Sequence, residues 1–341
     1  MKTRALGPFQ PSAIGLGCMN FSHGYAPAVS EVQAARVFHR AFDLGVTLFD
    51  TAAIYGNGAN ERLLGPLVKS IRDQIVLCSK GGMASVQTPQ GMQRKVDSRP
   101  ETLRQNLDES LQRLQVDVID LYYVHRWDKQ TPIEDVAGTL GDLVRQGKIR
   151  AVGLSEVSGA TLRRAAAEYP IAAVQSEYSL WTRNPEIGLL PACRDLGTRL
   201  VAFSPLGRGF LTAAPPALAE LHAGDMRHKM PRFAPGAFEQ NRALVQTLWD
   251  VAQEAACSPA QAALAWGLQQ GREVLTIPGT TSVAHLEDNL GADAVALTEE
   301  QLARLSHVFS PDRICGGRYD AAMQSSVDTE DFPSSQPSTL E

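Results

Sequence analysis

Short apolar segments recur along the whole chain, and helical patterns separate them. Eight such segments are predicted as strands: 13–17, 46–50, 74–79, 118–125, 149–155, 173–176, 199–203 and 274–277. Several are continuously apolar, as in VIDLYYVH and RLVAFS, which is typical of strands buried on both faces of a parallel sheet. Eight strand–helix units in 341 residues favour an α/β fold of the (β/α)8 barrel (TIM barrel) type over an open doubly wound sheet.

The segment PETLRQNLDESLQRL illustrates the helical patterns. Leu103, Leu107, Leu111 and Leu114 fall on one helical face with charged residues opposite, so the segment is predicted to be an amphipathic helix packed on the sheet. Pro100 stands in the first turn of this helix, where a backbone N–H is not needed.

Ionisable side chains stand at the ends of three successive predicted strands. Asp50 ends the second strand, and Tyr55 follows it in a segment too rich in Gly and Asn to be a strand. Lys80 follows the third strand, and His125 ends the fourth. Because the carboxyl ends of the strands meet at one face of a barrel, these four side chains are predicted to share a pocket.

The four groups together suit the protonation of a carbonyl oxygen. A phenol with a pKa of about 10 gives up its proton slowly at neutral pH, and the ammonium of Lys80 is predicted to lower the pKa of Tyr55. Asp50 would keep Lys80 charged, and His125 would donate a hydrogen bond to the same oxygen. Taken singly, each residue also fits an ordinary role, as a turn cap, a surface aromatic, a surface lysine or a satisfied histidine.

Eight further stretches match one known family over nearly the full length of the chain. They are IGLGCMNF, LFDTAAIYG with NERLLG, VLCSKGG, DLYYVHRWD, GKIRAVGLSEVS, VQSEYSLWTR, VAFSPLGRGFLT and IPGTTSVAHLEDNLGA. Together they resemble the aldo-keto reductase superfamily, in particular a bacterial and plant branch that reduces aryl aldehydes, pyridoxal-like aldehydes or dicarbonyls. That branch is similar to the potassium-channel β-subunits. The resemblance implies a single barrel over residues 1–315 with an N-terminal hairpin, and a C-terminal tail over residues 316–341.

The resemblance also implies a catalytic tetrad of Asp50, Tyr55, Lys80 and His125, with NADPH bound in extended form across the top of the barrel. No Rossmann fold is implied, and GLGCMN after the first strand is no G-x-G-x-x-G motif. The implied cofactor contacts include Asp50 and residues at five further places along the chain: Gly17, Cys18 and Met19; Ser155, Glu156 and Gln175; Phe203; Ser204, Pro205, Leu206, Gly207 and Arg208; and Gly279, Thr281, His285, Asp288 and Asn289.

The segment implied to hold the adenosine departs from the family pattern. Relatives commonly place Lys or Arg around positions 279, 281, 282 or 285, whereas this sequence offers hydroxyls, a helix start and His285. These groups bind a phosphate more weakly than a bidentate arginine, so NADH is not excluded as a cofactor. The long segment 206–238 carries RHKMPR, and Arg227, Lys229 or Arg232 is a candidate to reach the cofactor phosphates; a solvated charged face is the alternative.

The expected reaction is the reduction of an aldehyde or ketone to the alcohol, with a hydride from nicotinamide and the proton from Tyr55. The walls of the substrate pocket are expected to include Phe21, Tyr25 and Trp127, together with Met19 and Tyr319. This aromatic lining suits an aromatic aldehyde, a pyridoxal-like ring or a small dicarbonyl. His23 and Arg126 either offer polar groups to the substrate or face water.

Two other functions stay open. The chain could be a sensor or regulatory subunit that binds NADPH and turns over slowly. It could also be a Schiff-base lyase with Lys80 as nucleophile, although a lysine paired with Asp50 stays protonated and reacts poorly. No H-x-H or H-E-x-x-H spacing occurs, so no metal is expected.

The composition argues against several classes of partner. A net charge of −5 and a pI near 5.9 argue against nucleic acid and anionic membranes. Five cysteines without a CxxC pair predict reduced thiols, and no apolar run approaches the roughly 20 residues of a membrane span, so a cytoplasmic location is expected. The last part of the polar, Pro/Ser-rich tail is expected to be disordered. The oligomeric state is not predicted.

Overall fold

The computed structural model describes residues 1–22, 24, 25, 27–89 and 91–332. The strands over these residues are β1 (Leu16–Gly17), β2 (Leu48–Asp50), β3 (Val76–Gly81), β4 (Met83–Thr88), β5 (Gly91–Val96), β6 (Ile119–Val124), β7 (Ile149–Ser155), β8 (Ala173–Glu177), β9 (Arg199–Phe203) and β10 (Val274–Thr276). The helices are α1 (Glu31–Asp43), α2 (Ala59–Lys69), α3 (Pro100–Leu114), α4 (Ile133–Arg145), α5 (Gly159–Glu168), α6 (Leu189–Leu196), α7 (Pro235–Glu254), α8 (Pro259–Gln269), α9 (Val283–Gly291), α10 (Glu299–Val308) and α11 (Ala321–Gln324). The end of the predicted disordered tail, 333–341, lies outside the described residues.

Eight of the strands in the described ranges form one parallel sheet, in the order β1, β2, β3, β6, β7, β8, β9, β10. The two edges of this sheet meet, because Ile14 bridges Thr276 and Gly17 bridges Gly279. The N–H of Gly15 also donates to the carbonyl of Thr276 at 2.8 Å. A sheet whose first and last strands pair is closed, so the predicted (β/α)8 barrel is confirmed.

Apolar side chains from successive strands fill the barrel interior, among them Leu48, Val76 and Leu275. The N-terminal hairpin closes the bottom of the barrel. Its residues Leu6 and Phe9 exchange backbone hydrogen bonds of 2.9 and 3.0 Å, and Leu6 packs into the interior cluster. The packed bottom leaves the opposite face, at the carboxyl ends of the strands, for a ligand.

The predicted strands and helices agree with the structure to within a few residues. β3 runs to Gly81, so Lys80 lies inside this strand and not after it. β6 ends at Val124, so His125 opens the following loop, where its N–H donates to the carbonyl of Gly81 at 2.9 Å. α3 begins at Pro100, as predicted.

The hairpin β4–β5 was not predicted from the sequence. Its strands pair antiparallel, with Arg94 opposite Ser85. Most of its side chains are at least partly exposed, so it lacks the apolar content that marked the barrel strands. The available signal was turn chemistry: Pro89 and Gly91, the latter with φ of +103°, separate two short extended segments.

The long segment after β9 is ordered into short 3₁₀ turns, and helix α7 begins at Pro235, inside the predicted loop. One of these turns is Met226–Lys229, which Asp225 caps by accepting the N–H of Arg227 at 2.9 Å. The N–H of Met226 also donates to the carbonyl of Gly24 at 2.9 Å. The segment is thereby tied to the loop that follows β1.

The first part of the C-terminal tail packs against the barrel. Arg318 is buried and pairs with Glu156, a buried carboxylate directly after β7. The N–H of Asp328 donates to the carbonyl of Glu156 at 2.9 Å, and Glu330 accepts the N–H of Gly159 at the start of α5 at 2.8 Å. The tail therefore neutralises one buried charge and caps one helix.

A substitution at Gly15 tests how tightly the chain packs where the first and last barrel strands meet. A Cβ at this position would stand 2.7 Å from the carbonyl oxygen of Leu48, so Gly15→Ala should lower the free energy of unfolding by about 1–3 kcal/mol. The control is Gly267→Ala in α8, where no described atom lies within 4 Å of the added group; it should be neutral or stabilise by up to about 1 kcal/mol. Urea unfolding measures both. Equal stability of Gly15→Ala and the wild type would contradict this packing.

Arg318 tests the docking of the tail. Arg318→Met leaves the carboxylate of Glu156 buried without its cation, and the free energy of unfolding should fall by about 3–5 kcal/mol. The double variant Glu156→Gln/Arg318→Met removes both charges and should regain part of that loss. Urea unfolding compares the three proteins. A single variant as stable as the wild type would show that the tail does not hold this charge.

Candidate active site

A cavity of about 600 Å³ lies at the carboxyl ends of the barrel strands. Its walls come from the strand ends, the hairpin β4–β5, the segment after β9 and the C-terminal tail. It reaches from Tyr55 and His125, after β2 and β6, to His285 and Asn289 on α9. Its volume is in the range of cofactor and small-molecule sites.

The four predicted catalytic side chains come together at this cavity. Lys80 Nζ donates to Asp50 Oδ1 and, at 2.8 Å, to the carbonyl oxygen of Thr51, and it lies 3.5 Å from the Tyr55 hydroxyl. The rings of Tyr55 and His125 meet edge to face with centroids 5.7 Å apart. The Lys80 side chain is fully buried, and Asp50 is 4% exposed. The Tyr55 phenol therefore stands between the Lys80–Asp50 ion pair and the imidazole of His125 in the sequence of contacts.

The turn after Tyr55 explains the Gly- and Asn-rich sequence there. Gly56, Asn57 and Gly58 have φ values of +57°, +51° and +81°. Three consecutive left-handed backbone conformations cost little free energy only where the residues are Gly or Asn. This turn reverses the chain between β2 and α2, and it sets Tyr55 at the cavity wall.

The next residues of the same stretch anchor the turn from behind. Asn60 accepts from Thr51 Oγ1 at 2.6 Å and donates to the carbonyl of Cys18 at 2.9 Å. Glu61 accepts from Ser79 Oγ and from Arg113 Nε, both at 2.6 Å. Both Asn60 and Glu61 are fully buried, so the NERLLG motif supports the loop that carries Tyr55 and does not line the cavity.

Burial controls the pKa of Tyr55. Withdrawal from water raises the pKa of the phenol more than the Lys80 ammonium lowers it, so the pKa lies above its ordinary value. This direction is opposite to the one predicted from the sequence, because the burial of Tyr55 is a tertiary property. Burial by itself lowers the pKa of Lys80, but the Asp50 carboxylate and Tyr55 outweigh it, and the net pKa of Lys80 is raised. At neutral pH a protonated phenol stands beside an ion pair.

The residues expected to meet a nicotinamide lie beside the tetrad, with one exception. Ser155, Gln175 and Phe203 line the cavity, and Gln175 Nε2 donates to Asp50 Oδ2 at 2.8 Å. Glu156 is the exception and corrects the expectation. Its φ of +56° turns the side chain away from the cavity, towards Arg318.

The turn after β9 presents mainly backbone to the cavity. Ser204, Gly207 and Arg208 have φ values of +48°, +56° and +60°. The guanidinium of Arg208 is already occupied: it donates to Glu177 Oε2 at 2.7 Å and to the hydroxyls of Tyr25 and Tyr319, both at 3.2 Å. The lining residues of this turn are Ser204, Pro205, Leu206, Arg208 and Gly209, while Gly207 lies behind them.

The α9 side of the cavity is rich in hydroxyls and contains one imidazole. Its lining residues are Gly279, Thr280, Thr281, His285, Asp288 and Asn289. Ser282 caps α9 by accepting the N–H of His285 at 3.4 Å. The donors that this side offers to a phosphate are therefore hydroxyls, His285 and backbone N–H groups.

The three basic candidates of the RHKMPR stretch lie in different surroundings. Arg227 lines the cavity and pairs with Asp225 at 2.6 Å. Arg232 does not line it, because its guanidinium donates to the carbonyl of Trp181. Lys229 is exposed and also lies off the cavity. Of these three candidates, Arg227 alone lines the cavity.

Of the residues expected to form the substrate pocket, some line the cavity and others do not. Met19, Tyr25 and Tyr319 line the cavity. Phe21 is fully buried in the hydrophobic core, and Trp127 packs against that core with its indole N–H donating to a backbone carbonyl at 2.7 Å. The expectation for Phe21 and Trp127 is therefore corrected, since Phe21 is buried, Trp127 is half-buried against the core, and neither lines the cavity.

Four further residues of the expected sites lie in sequence near the first and fourth barrel strands. Gly17 lines the cavity, whereas Cys18 lies behind it with a fully buried thiol whose pKa burial raises. Arg126 lines the cavity. His23 lies outside the described residues.

The cavity also contains residues that the sequence analysis did not select. Ile54 precedes Tyr55, Met83 and Arg94 lie on the hairpin β4–β5, and Met323 lies on α11 in the tail. Only the hairpin turn offered a signal for Met83 and Arg94. The tail residue is brought in by docking that only the tertiary structure reveals.

No cluster of three or more potential metal ligands occurs in the part of the chain that the structure describes. Within the same ranges, no helix combines the length and the apolar character that crossing a membrane requires.

Several known proteins are similar to this chain in sequence. The family model described as the Aldo/keto reductase family matches residues 13–309. Probable aldo-keto reductase 1 of Glycine max is 41% identical over 312 residues, which are 91% of this chain and 89% of the relative. The aldo-keto reductase yakc of Schizosaccharomyces pombe, whose name specifies NADP(+), is 40% identical over 338 residues, covering 97% and 98% of the two chains.

Solved structures share the fold as well. The glycerol dehydrogenase AKR11B4 from Gluconobacter oxydans superposes with a TM-score of 0.82 at 27% identity, over 94% of this chain and 98% of that one. An aldo/keto reductase from Klebsiella pneumoniae, solved with NADP and acetate, gives a TM-score of 0.70 at 26% identity, over 94% and 99%. The matched family model spans most of the chain and includes all four residues that meet at the cavity. The chain belongs to the aldo/keto reductase family.

Proposed function

We propose that the protein reduces an aldehyde or ketone to the alcohol, with NADPH as the reductant and Tyr55 as the proton donor. The observation that carries the proposal is the Tyr55 hydroxyl, which lies 3.5 Å from Lys80 and beside His125 in the cavity wall. The carbonyl compounds proposed are aromatic aldehydes, pyridoxal-like aldehydes and dicarbonyls. Met19, Tyr25 and further apolar or aromatic walls near Tyr55 support such flat substrates.

The residues of the cavity fit NADPH. Ser155 and Gln175 offer polar groups for a carboxamide, Phe203 offers an aromatic face, and the α9 side offers hydroxyls and helix N–H groups. Arg227 adds a guanidinium. The NADP(+) in the name of the yeast relative and the NADP in the Klebsiella pneumoniae structure support this cofactor. When bound, NADPH supplies the hydride that adds to the carbonyl carbon.

The chain's own groups handle the proton. Tyr55 gives its hydroxyl proton to the carbonyl oxygen, and the charged Lys80 stabilises the phenolate that forms. Asp50 keeps Lys80 charged and is itself held by Gln175 at 2.8 Å. His125, whose ring meets the Tyr55 ring edge to face, donates a hydrogen bond to the same carbonyl oxygen and orients it.

Schiff-base chemistry at Lys80 is disfavoured by the same geometry. The amine is fully buried, paired with Asp50 and bonded to the Thr51 carbonyl, and its pKa is raised above the ordinary value. A lysine nucleophile needs a neutral amine, which requires a lowered pKa. Lys80 therefore acts as a fixed cation.

Tyr55→Phe tests the proton donor. The variant keeps the ring but loses the acid, so turnover of a good aldehyde should fall by about 10²–10⁴-fold while NADPH affinity stays unchanged. Stopped-flow single-turnover rates and fluorescence titration with NADPH measure the two quantities. Tyr169→Phe, outside the cavity, is the control for loss of a hydroxyl and should behave as wild type.

The single-turnover rate of the wild type also distinguishes an enzyme from a regulatory subunit that only binds NADPH. Slow single turnover of every good aldehyde, with tight NADPH binding, would favour a regulatory subunit. Wild-type turnover in Tyr55→Phe would remove Tyr55 from its proposed role.

The raised pKa of Tyr55 predicts the pH dependence of reduction. The acid form is the protonated phenol, so the rate is full below the pKa and falls as the pH rises through it. Because burial raises this pKa, the single-turnover rate should stay flat from neutral pH and fall only above about 10. Rates in a buffer series at constant ionic strength test this. A midpoint well below that value would mean that Lys80 outweighs burial once ligands are bound.

A further inference from the structure

Two arginines stand beside the proposed proton donor in the cavity wall. Arg94 belongs to β5 of the hairpin, and Arg126 directly follows His125. Arg126, Tyr319 and Tyr55 are all near enough to influence the pKa of Arg94, and all four residues line the same cavity. The hairpin therefore brings a second cation to the end of the cavity where the carbonyl would be reduced.

The other cations at the cavity are neutralised by the chain's own carboxylates. The pairs are Lys80 with Asp50, Arg208 with Glu177 at 2.7 Å, and Arg227 with Asp225 at 2.6 Å. Neither Arg94 nor Arg126 forms an ion pair with any carboxylate in the described ranges. Arg126 Nη1 donates only to neutral oxygens, the carbonyl of His125 at 2.6 Å and Ser155 Oγ at 3.1 Å.

Two guanidinium groups that share a wall without a counter-ion repel each other. Burial, and after it the charge of Arg126, lower the pKa of Arg94. The buried Nε of Arg126 has no hydrogen-bond partner among the described atoms. An anion placed between the two groups would remove the repulsion and accept charge-assisted hydrogen bonds from both.

We propose that the substrate is an aldehyde or ketone that also bears a carboxylate, and that Arg94 and Arg126 hold this carboxylate while the carbonyl oxygen meets Tyr55. This inference rests on the proposed function and names its substrate class. The anion site differs from the sites expected for cofactor phosphates, because Arg126 is bonded at His125 and Ser155, in the catalytic part of the cavity. The planar guanidinium fork matches the geometry of a carboxylate.

The test compares two aldehydes that differ in charge, 4-formylbenzoate and its methyl ester. The wild type should reduce the anion with a kcat/KM at least about tenfold higher, and the preference should shrink at high salt. Arg94→Met should abolish the preference by raising KM for the anion. The kcat for the anion, the kcat/KM for the ester and the NADPH affinity should stay unchanged.

The matched control is Lys95→Met, one position along β5. Successive strand side chains point to opposite faces, and Lys95 pairs with Asp97 at 3.4 Å, so the variant removes the same charge away from the cavity. It should keep the preference of the wild type.

The inference is overturned if the wild type shows no preference for the anion, if Arg94→Met weakens both aldehydes equally, or if its main effect is on NADPH affinity. Calorimetric binding of 4-(hydroxymethyl)benzoate to the protein with NADP⁺ separates this inference from the proposed function. Binding that Arg94→Met loses, in a protein that reduces neither aldehyde, would keep the anion site and overturn the reductase. Neither binding nor reduction would overturn both.

Discussion

The ion pair of Lys80 and Asp50 is the interaction on which the catalytic end of the barrel depends. Two charges withdrawn from water cost several kcal/mol each unless they are paired and their remaining hydrogen-bonding groups are satisfied. Here the Thr51 carbonyl accepts a second hydrogen bond from Lys80, and Gln175 of β8 donates one to Asp50. The pair thus joins β2, β3 and β8, and the position of Tyr55 follows from it.

A second set of buried ion pairs fixes other segments around the cavity. Glu177 forms an ion pair with Arg208, and Glu156 forms one with Arg318. A loop and the tail are thus each held to the barrel by a carboxylate. The hydroxyls of Tyr25 and Tyr319 meet at Arg208 from two distant segments of the chain. Burying such charged groups costs free energy, but the resulting network fixes separate loops relative to one another.

The barrel and the strand-end residues could be predicted because they depend on local pattern. Continuous apolar runs mark buried parallel strands, and a carboxylate that ends such a run, like Asp50, has to be at the ligand face. What could not be predicted is side-chain direction in loops. Phe21, Trp127 and Arg232 sit in the segments expected at the site, yet each contacts other protein groups and none lines the cavity.

The hairpin and Glu156 show the other limits of the sequence. β4–β5 is stabilised by backbone pairing and turn chemistry, with little apolar periodicity to reveal it, and so Arg94 was overlooked. Glu156 was assigned by its place next to Ser155, but its left-handed backbone and a partner far along the chain decide where it points. Neither property is encoded within a few residues.

The span between Glu156 and its partner has a consequence for the order of folding. Arg318 follows Glu156 by 162 positions, and Lys2 bonds to Asp293 across 291 positions. Contacts of such separation form only after much chain entropy has been lost, so they belong to the slow, late steps of assembly. Without the docked tail, Glu156 would lack its cation and the cavity would lack the wall that Tyr319 and Met323 supply. Completion of the ligand cavity therefore depends on contacts that are among the most distant along the chain.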